Sequence, residues 1–394
     1  MVKKLGLVRN ILAAGLVSLG SWLAPAQSGL ESKLSLPSPQ EAIATITKNI
    51  STDYQSLKTE VDNVINANPK ETDFVFNFIK GSGVGFAVED SIWGGTAGSP
   101  WDYALTFNGN GFTAPGTHYI EYNTGSITFN GVMFNRGIID APCVQIESTT
   151  TGDYSFRGGD KDKDDYPDSN FTKGNYSIKF DGAGGANLTV DKYYFAESSS
   201  KNPTSIHLEN LVGTVDVTRN VFQYSEKGIS IGKEVGANPV LNVLNNTFDS
   251  FDDVGIEFLV ELFNTTGQVV NNSFTNSLAG TGIKGCENFP GTIDTNNFYD
   301  LGTDHEGVPI NDLNVPPGYV GGENYRLLST SEMIDAGIDV GLPYKGEAPD
   351  IGSHEYIPEP GTLGLLLIGG AVALAKRLRR YSELREETNK KVGI

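Results

Sequence analysis

The chain has 394 residues, among them 47 glycines, 16 tyrosines and 20 phenylalanines, and a formal net charge of −19. This length suits either a large core or a long solenoid, and the composition favours many short strands joined by tight turns. A strongly acidic chain repels nucleic acid and anionic head groups, so we exclude nucleic acid as a partner.

Residues 1–26 have the layout of a secretory signal peptide. Three basic residues lie within the first nine positions, an apolar run covers 11–23, and Ala24-Pro25-Ala26 forms a small-x-small cleavage pattern. An N-terminal membrane anchor is the alternative, but this apolar run is shorter than the ~20 residues that a spanning helix needs. We therefore predict export, with cleavage after Ala26.

Residues 27–72 are predicted to form an α-helical N-terminal cap. Within 38–68, apolar residues recur at spacings of three and four after a capping-type start at Ser38. They are Ile43, Ile46, Ile50, Leu57, Val61, Val64 and Ile65. One or two amphipathic helices here would cover the first coil of a solenoid, whose exposed strand edge would otherwise invite aggregation.

An internal repeat occupies the middle of the chain. Phenylalanines recur every 24 to 27 residues, with an aliphatic residue five positions before each and, in four of the five coils, an asparagine two positions before. The columns are Phe195, Phe222, Phe248, Phe274 and Phe298; Val190, Val217, Val243, Val269 and Ile293; and Asn220, Asn246, Asn272 and Asn296. A further apolar pair, usually opened by glycine, follows each phenylalanine.

This period is typical of a parallel β-helix, in which equivalent side chains stack from coil to coil. The asparagine column predicts an amide ladder in which each side-chain carbonyl accepts from the next coil's amide. Leucine-rich horseshoes have similar periods, but the sequence lacks their Leu-x-x-Leu-x-Leu pattern. Weaker coils before Phe195 extend the predicted β-helix, with its closing segment, over residues 73–357. Thr247, beside Phe248, is expected to point outward to solvent.

The repeat resembles right-handed parallel β-helix proteins of the pectate-lyase-like class. Ile334-Asp335-Ala336-Gly337, followed by Asp350-Ile351-Gly352-Ser353-His354-Glu355, resembles the closing segment of the choice-of-anchor Q family, with Ser353 where that family usually has alanine. Members of that family are surface proteins with interchangeable anchors. The resemblance therefore implies an all-β, right-handed β-helix at a cell surface.

The two cysteines, Cys143 and Cys286, lie about five coils apart in this register. At ~4.8 Å per coil they would be separated by ~25 Å, which is beyond the reach of a disulfide. We therefore predict two thiols.

An acidic loop precedes the clearest coils. Its carboxylates occupy the first, third, fifth and ninth positions, as Asp160, Asp162, Asp164 and Asp168. Alternating oxygen ligands of this kind resemble Ca²⁺ loops of the DxDxDG type, although Asp165 replaces the turn glycine and Phe171 the closing acid. Ca²⁺ is thus the one cofactor that the sequence suggests, and a solvated acidic loop is the alternative.

The strand after each phenylalanine should point one residue outward between its two apolar positions. This column is Lys179, His207, Ser230, Glu257 and Lys284. A lyase needs a cation site and a base, and His207 and Lys179 are the weak catalytic candidates for this scheme. A glycosidase needs two carboxylates, and the column offers only one, Glu257. An ion pair between Glu257 and Lys284 is the alternative.

The turns that vary in length after each phenylalanine are a second place where binding residues are expected, because variable loops on a rigid scaffold often carry function. They contain Glu226, Lys227, Asp249, Asp252, Asp253 and Asp300. Solvated turn residues are the alternative interpretation.

Residues 358–380 combine three elements in a specific order. The tripeptide Pro358, Glu359 and Pro360 precedes the apolar run 361–375, and a basic cluster follows at Lys376, Arg377, Arg379 and Arg380. A transmembrane helix with basic residues on its far side leaves the preceding chain outside the cytoplasm. The order resembles the PEP-CTERM sorting signal, which implies an exosortase-type sorting enzyme as partner; the polar tail 381–394 extends beyond the usual end of that signal.

These features together predict an exported, membrane-anchored protein of the cell surface or extracellular matrix. Residues 27–375 carry 19 basic and 45 acidic residues, a formal charge of −26. Such a surface tolerates divalent cations and neutral glycans. We predict a noncatalytic protein that binds extracellular polysaccharide, and the alternative is a polysaccharide lyase or glycoside hydrolase of the same fold.

Overall fold

The computed structural model describes residues 45–51, 57–67, 73–79, 91–94, 97, 99–115, 117–135, 142–158, 170–172, 176–196, 204–232, 238–260, 262, 264–306, 312–321 and 324–357, and the helical positions 374, 376, 377, 379 and 380. The chain forms a right-handed parallel β-helix with three faces, which we call sheets 1 to 3. Residues 312–357, which we call the closing segment, follow the last coil. The predicted all-β solenoid is confirmed.

Sheet 1 stacks one strand from each of ten successive coils, all parallel. Numbered in chain order through the molecule, its strands are β1 (Thr45–Ser51), β2 (Asp73–Ile79), the first parts of β4 (Ala104–Pro115) and β6 (Ile127–Asn135), β8 (Asp153–Arg157), β11 (Asn187–Asp191), β14 (Thr214–Thr218), β17 (Val240–Leu244), β20 (Thr266–Val270) and β22 (Thr292–Asp294).

Sheets 2 and 3 form the other two sides of the later coils. Sheet 2 contains the second parts of β4 and β6, then β9 (Asn170–Thr172), β12 (Tyr194–Ala196), β15 (Val221–Gln223), β18 (Thr247–Asp249) and the first parts of β21 (Ser273–Lys284) and β23 (Asn297–His305). Sheet 3 contains β3 (Ser91–Trp93), β5 (His118–Ile120), β7 (Val144–Ile146), β10 (Tyr176–Asp181), β13 (Thr204–Glu209), β16 (Lys227–Ile231), β19 (Val254–Phe258) and the ends of β21 and β23.

The remaining elements are short. Helix α1 covers Leu57–Ala67, two 3-10 turns lie at Gly182–Gly184 and Cys286–Asn288, and β24 (Tyr319–Gly321) pairs antiparallel with β25 (Asn324–Leu327) in the closing segment.

The predicted phenylalanine column stacks inside the solenoid. Neighbouring rings from Phe195 to Phe298 lie 4.6 to 5.0 Å apart between centroids and within 8° of parallel. The stack also extends backwards through Phe171 to Phe134. Because the ring spacing matches the rise between parallel strands, each phenylalanine packs on its equivalents without distorting the coils.

Three sheet 3 strands have a glycine next to this stack, and the stack requires it. A Cβ atom on Gly228, Gly255 or Gly282 would lie 2.6 Å from ring carbons of Phe248, Phe274 or Phe298, respectively. No side chain fits at that distance. The glycines of the repeat therefore leave room for the rings and are not chosen for turn conformation.

The asparagine column forms the predicted ladder, with one difference in direction. The side-chain Oδ1 of Asn246 accepts from the backbone N–H and the Nδ2 of Asn220 at 2.9 and 3.0 Å, so the donor belongs to the preceding coil. Asn272 repeats the arrangement toward Asn246. The last member, Asn296, donates its backbone N–H to Asp312 at 3.0 Å, which ends the ladder with a carboxylate.

The N-terminal region differs from the expected helical cap. Leu57–Ala67 is helical, and its Val61 and Ile65 are buried in the core. Residues Thr45–Ser51, however, form β1, which pairs in parallel with β2. The solenoid therefore reaches back to residue 45, ahead of the predicted start at 73. The apolar spacing misled the assignment because Ile46 and Ile50 lie four residues apart, a spacing that a strand also places on one face.

The closing segment lies against the outer side of sheet 2. The hydroxyl of Tyr325 donates to Asp249 at 2.8 Å, and that of Tyr319 donates to Ser273 at 3.0 Å. Thr247 does point away from the solenoid interior, but the expectation that solvent surrounds it is wrong. Its side chain is fully buried beneath Ser353, because a segment more than 100 positions later in the sequence covers this face.

The residues that resemble the choice-of-anchor Q closing segment, 334–337 and 350–355, form hydrogen bonds within the closing segment itself. Asp335 accepts from the backbone N–H groups of Glu347 and Ala348 at 2.8 and 3.2 Å, and Asp350 accepts from that of Asp335 at 2.8 Å. These carboxylates hold a segment that has almost no regular secondary structure.

Both cysteines are buried as thiols, as predicted. In the described part of the chain, no helix has the length and hydropathy to cross a membrane. Of the predicted transmembrane run 361–375, only Leu374 is among the described residues. Residues 1–44, the tripeptide Pro358, Glu359 and Pro360, and the tail 381–394 lie outside them. The basic residues Lys376, Arg377, Arg379 and Arg380 are helical and exposed.

Candidate functional site

The predicted outward column of sheet 3 has the expected register. Lys179, His207, Ser230, Glu257 and Lys284 occupy equivalent positions in consecutive coils. Ser230 separates His207 from Glu257, so these two candidates are two coils, ~9.6 Å, apart. The column is therefore a line of side chains along the solenoid rather than a convergent cluster.

Glu257 is fully engaged by neighbouring cations. Its Oε2 lies 2.6 Å from Nζ of Lys227 and its Oε1 lies 3.4 Å from Nζ of Lys284, while only 6% of its side chain is exposed. The predicted ion pair with Lys284 is thus present, and a second lysine joins it. Partial burial lowers the pKa of Lys227, but the hydrogen bond and charge of Glu257, with Asp253 and Glu226, raise it by more.

His207 also has a local partner. Its Nε2 lies 3.0 Å from Oε1 of Glu209 on the same strand, and its ring packs on Tyr176 with 5.1 Å between centroids. Lys179 is half-buried in the preceding coil. The contacts of His207 and Glu257 on this face are therefore ion pairs with side chains of the same strand or of neighbouring coils.

The predicted Ca²⁺ loop at Asp160, Asp162, Asp164 and Asp168 lies outside the described residues and stays a prediction. Within the described residues, no group of three or more His, Cys, Asp or Glu side chains is arranged to hold a metal ion.

A groove that the sequence did not reveal lies on the outer face of sheet 1. Its volume is about 430 Å³, and we call it the sheet-1 groove. Its floor consists of outward residues of β8, β11, β14 and β17 and the turn after β14, and its wall comes from the closing segment. The lining residues are Arg157, Thr189, Asp191, Asp216, Thr218, Arg219, Asn242, Leu244, Val340 and Leu342.

An arginine and an aspartate from adjacent coils meet in the floor. Arg219 donates from Nε and Nη2 to the two carboxylate oxygens of Asp191 at 2.8 and 2.7 Å, and the Thr218 hydroxyl donates to the same carboxylate at 2.8 Å. Arg219 adopts a left-handed backbone with φ of 55°, which directs the turn between sheets 1 and 2. A bidentate pair of this kind holds both side chains in one orientation.

A second polar pair lies in the centre of the floor. The Asn242 amide donates to Asp216 Oδ1 at 2.8 Å, and these residues continue the outward column that includes Thr189. The floor therefore presents carboxylate, amide, hydroxyl and guanidinium groups at successive positions, and hydrogen bonds between coils orient the Asp191–Arg219 and Asp216–Asn242 pairs.

The wall of the groove is apolar and anchored. Val340 and Leu342 face the groove, while Ile338 binds Asn271 through its backbone N–H and carbonyl, at 3.0 and 2.8 Å. Asn271 lies in the turn between β20 and β21, so these two hydrogen bonds attach the 338–342 part of the closing segment directly to the solenoid. The groove thus combines a hydrogen-bonding floor with an apolar side.

A smaller cavity of about 170 Å³ adjoins the groove through Arg219, which lines both. Lys192, Tyr344, Lys345, Ser353, His354 and Glu355 also line it. Burial, and then the charge of Asp350, raise the pKa of Glu355 to about 7. Its two oxygens accept from the backbone N–H groups of Asp350 and Lys345 at 3.3 and 3.2 Å.

The comparisons with known proteins add no identity: the chain matches no protein-family model, no curated protein and no solved structure. Such a combination of oriented polar groups and an apolar wall is suited to a ligand with many hydroxyl groups and a partly apolar ring.

Sequence reasoning missed this groove because its floor residues sit at positions that vary through the repeat. Thr189, Asp216 and Asn242 each lie one position before the aliphatic residue of the column, which marks them as outward, and this signal was available. The wall, in contrast, comes from residues about 100 positions later, and nothing in the repeat indicates where they pack.

Proposed function

We propose that this chain is an exported, membrane-anchored surface protein that binds extracellular polysaccharide in the sheet-1 groove without cleaving it. The observation that carries the proposal is the oriented floor, in which Asp216 and Asn242 form one polar pair and Asp191 and Arg219 another. Hydroxyl groups of a sugar both donate and accept, so they can use carboxylate, amide and guanidinium partners together.

The proposed absence of cleavage rests on the surroundings of the ionisable groups. A glycosidase needs two carboxyl groups on opposite sides of the scissile bond, one of them free to transfer a proton. Both oxygens of Glu257 are engaged by lysines, and both oxygens of Glu355 accept from backbone N–H groups. Both carboxyl groups are therefore engaged by neighbouring groups of the protein itself, an arrangement that favours binding over cleavage.

Export and anchoring are proposed from the two ends of the sequence. A basic, apolar and small-residue order at 1–26 suits a signal peptide, and the order at 358–380 suits a PEP-CTERM-type signal processed by an exosortase-type enzyme. The polysaccharide site would then face the cell exterior.

The test is a screen of the purified protein against extracellular glycans, scored for both binding and released products. We expect at least one glycan to bind without release of shorter products, and Asp216→Ala together with Asn242→Ala to abolish that binding. Lys179→Ala, on sheet 3, is the matched control and should bind as the parent does. Released products would favour the lyase or hydrolase, and binding that survives the double substitution would move the site elsewhere.

A further inference from the structure

A second groove lies on sheet 1 beside the starts of its strands, and we call it the edge groove. Its volume is about 360 Å³, and it is lined by Asp73, Asp102, Ser126 and Asp153. Thr124 also lines it and donates its hydroxyl to Asp102 at 3.3 Å. The groove is therefore polar and acidic along its length.

Strand β8 joins the two grooves. Its first residue, Asp153, lines the edge groove, and its last residue, Arg157, lines the sheet-1 groove. Ser155, midway between them, also points outward, because the alternate residues Tyr154 and Phe156 are buried in the core. Three outward side chains thus form a line across the sheet from one groove to the other.

A row of hydroxyl groups runs along the sheet through the same point. Thr106, Thr128, Ser155 and Thr189 pair in consecutive coils, so their side chains recur about every 4.8 Å. Thr189 is itself part of the sheet-1 groove floor. Between the two grooves, the surface therefore offers uncharged donors and acceptors at a constant spacing.

We infer that the two grooves and this row form one track for a linear, uncharged glycan, an inference that rests on the proposed polysaccharide binding. From β2 to β17 the track crosses six intervals of ~4.8 Å, or ~29 Å, which only an extended polymer occupies. Its charged groups are mainly carboxylates: Asp73, Asp102, Asp153, Asp191 and Asp216 stand against Arg157 and Arg219. A uronate polymer would be repelled at the edge groove, whereas neutral hydroxyl groups bind carboxylates well.

Chain length is the direct consequence of this geometry. A short oligosaccharide occupies one groove, while a long one occupies both, and the second contact is then intramolecular. Linked sites of this kind raise the overall affinity by a factor of about ten or more without new contacts.

The experiment measures affinity of the full chain by calorimetry for cellooctaose, maltooctaose, their trisaccharides and octagalacturonate. We expect one neutral octasaccharide to bind about tenfold or more tightly than its trisaccharide, and octagalacturonate to bind more weakly than that octasaccharide. Ser155→Leu, which obstructs the joining strand from outside the core, should reduce octasaccharide affinity to the trisaccharide level and leave trisaccharide affinity unchanged. Gln145→Leu, at an outward position of sheet 3, is the control.

Each other outcome overturns the inference in a recognisable way. Equal affinity for the octasaccharide and trisaccharide, or an unaffected Ser155→Leu variant, would remove the continuous track while leaving polysaccharide binding in the sheet-1 groove intact. Preferred binding of octagalacturonate would reject an uncharged ligand. Absence of binding to every probe would reject this inference, and the broader glycan screen would then decide whether the proposed function also fails.

Discussion

Arg219 binds Asp191 of the preceding coil through two parallel hydrogen bonds of 2.8 and 2.7 Å, in the floor of the sheet-1 groove. The pair is partly exposed, with 21% and 18% of the side chains accessible. Because partly exposed ion pairs contribute little to stability, its main consequence should be the fixed direction of the guanidinium group.

The first prediction follows from that orientation. Asp191→Asn should weaken glycan binding about tenfold, because Arg219 loses its bidentate partner, while unfolding free energy changes by about 1 kcal/mol or less. Arg219→Lys should also weaken glycan binding, since an ammonium group cannot form the same two parallel hydrogen bonds with Asp191. Calorimetric titration and urea melts of both variants provide the two readings, and an Asp191→Asn variant with parental affinity would contradict this role.

The second prediction compares three consecutive residues of one coil. Phe248→Ala removes a ring stacked on both sides and should cost ~3 to 5 kcal/mol. Asn246→Ala interrupts the buried ladder and should cost ~1 to 3 kcal/mol. Thr247→Val should also cost ~1 to 3 kcal/mol, because it removes the hydroxyl that accepts from the backbone N–H of Ser353 at 3.0 Å and leaves that group buried.

Urea melts of these variants measure the order. Thr189 is a half-buried, outward threonine on sheet 1, so Thr189→Val is the matched control for loss of a threonine hydroxyl. It should cost ~0.5 kcal/mol or less. If Thr247→Val were as mild as that control, the closing segment would not be packed on sheet 2 as described.

The third prediction concerns the glycine beneath the phenylalanine stack. Gly255→Ala would place a Cβ 2.6 Å from ring carbons of Phe274 and 2.7 Å from the carbonyl oxygen of Gly282. The coil must shift to relieve this contact, so we expect a loss of ~1 to 3 kcal/mol in urea melts. Gly232→Ala, whose nearest contacts would be at 3.4 Å, should be nearly neutral. Equal losses at both positions would argue against a steric cause.

The fourth prediction is a pH dependence of the closing segment. Burial and Asp350 raise the folded pKa of Glu355 from 4.5 to about 7, so the folded state binds this proton more tightly than the unfolded state. The stabilising contribution is therefore complete below the unfolded pKa of 4.5 and is lost as the pH rises through about 7. Burial also raises the pKa of Asp350, which acts in the same direction.

Glu355→Gln replaces the carboxyl by a neutral group and should raise Tm at about pH 8 by about 2 to 4 °C, with a smaller effect at about pH 4. The exposed Glu347→Gln is the control for loss of one negative charge. Thermal melts from about pH 4 to about pH 8 measure these changes. A Tm of Glu355→Gln below that of the parent at about pH 8 would contradict the raised pKa of Glu355.

The fifth prediction concerns the proposed anchor. A chain that ends before Pro358 lacks the apolar run and the basic cluster, so it should be released in soluble form into the medium, while the full chain fractionates with membranes. Secretion of both forms would be compared by immunoblot of medium and membrane fractions. Membrane association that persists after truncation would reject the anchor at 358–380.

The repeat alone was sufficient to predict the solenoid, the stack that includes Phe248 and the ladder that includes Asn246, because equivalent positions in successive coils must meet wherever parallel strands pair in register. The outward position of Glu257 and its contact with Lys284 followed for the same reason. Position within the repeat could not show that Lys227 also reaches Glu257, since that depends on the path of a turn whose length varies. The strand at Thr45–Ser51 was missed because a four-residue apolar spacing fits either a helix or one face of a strand.

The sequence by itself determined the coil period and the inward and outward faces of the strands, both of which depend on local spacing. Only the tertiary structure decided what covers those faces. Thr247 and Thr189 are both outward threonines, yet one is buried under Ser353 and the other lines a groove. The difference arises from where the irregular closing segment packs, which is set by contacts between residues far apart in the chain and leaves no periodic trace in the sequence.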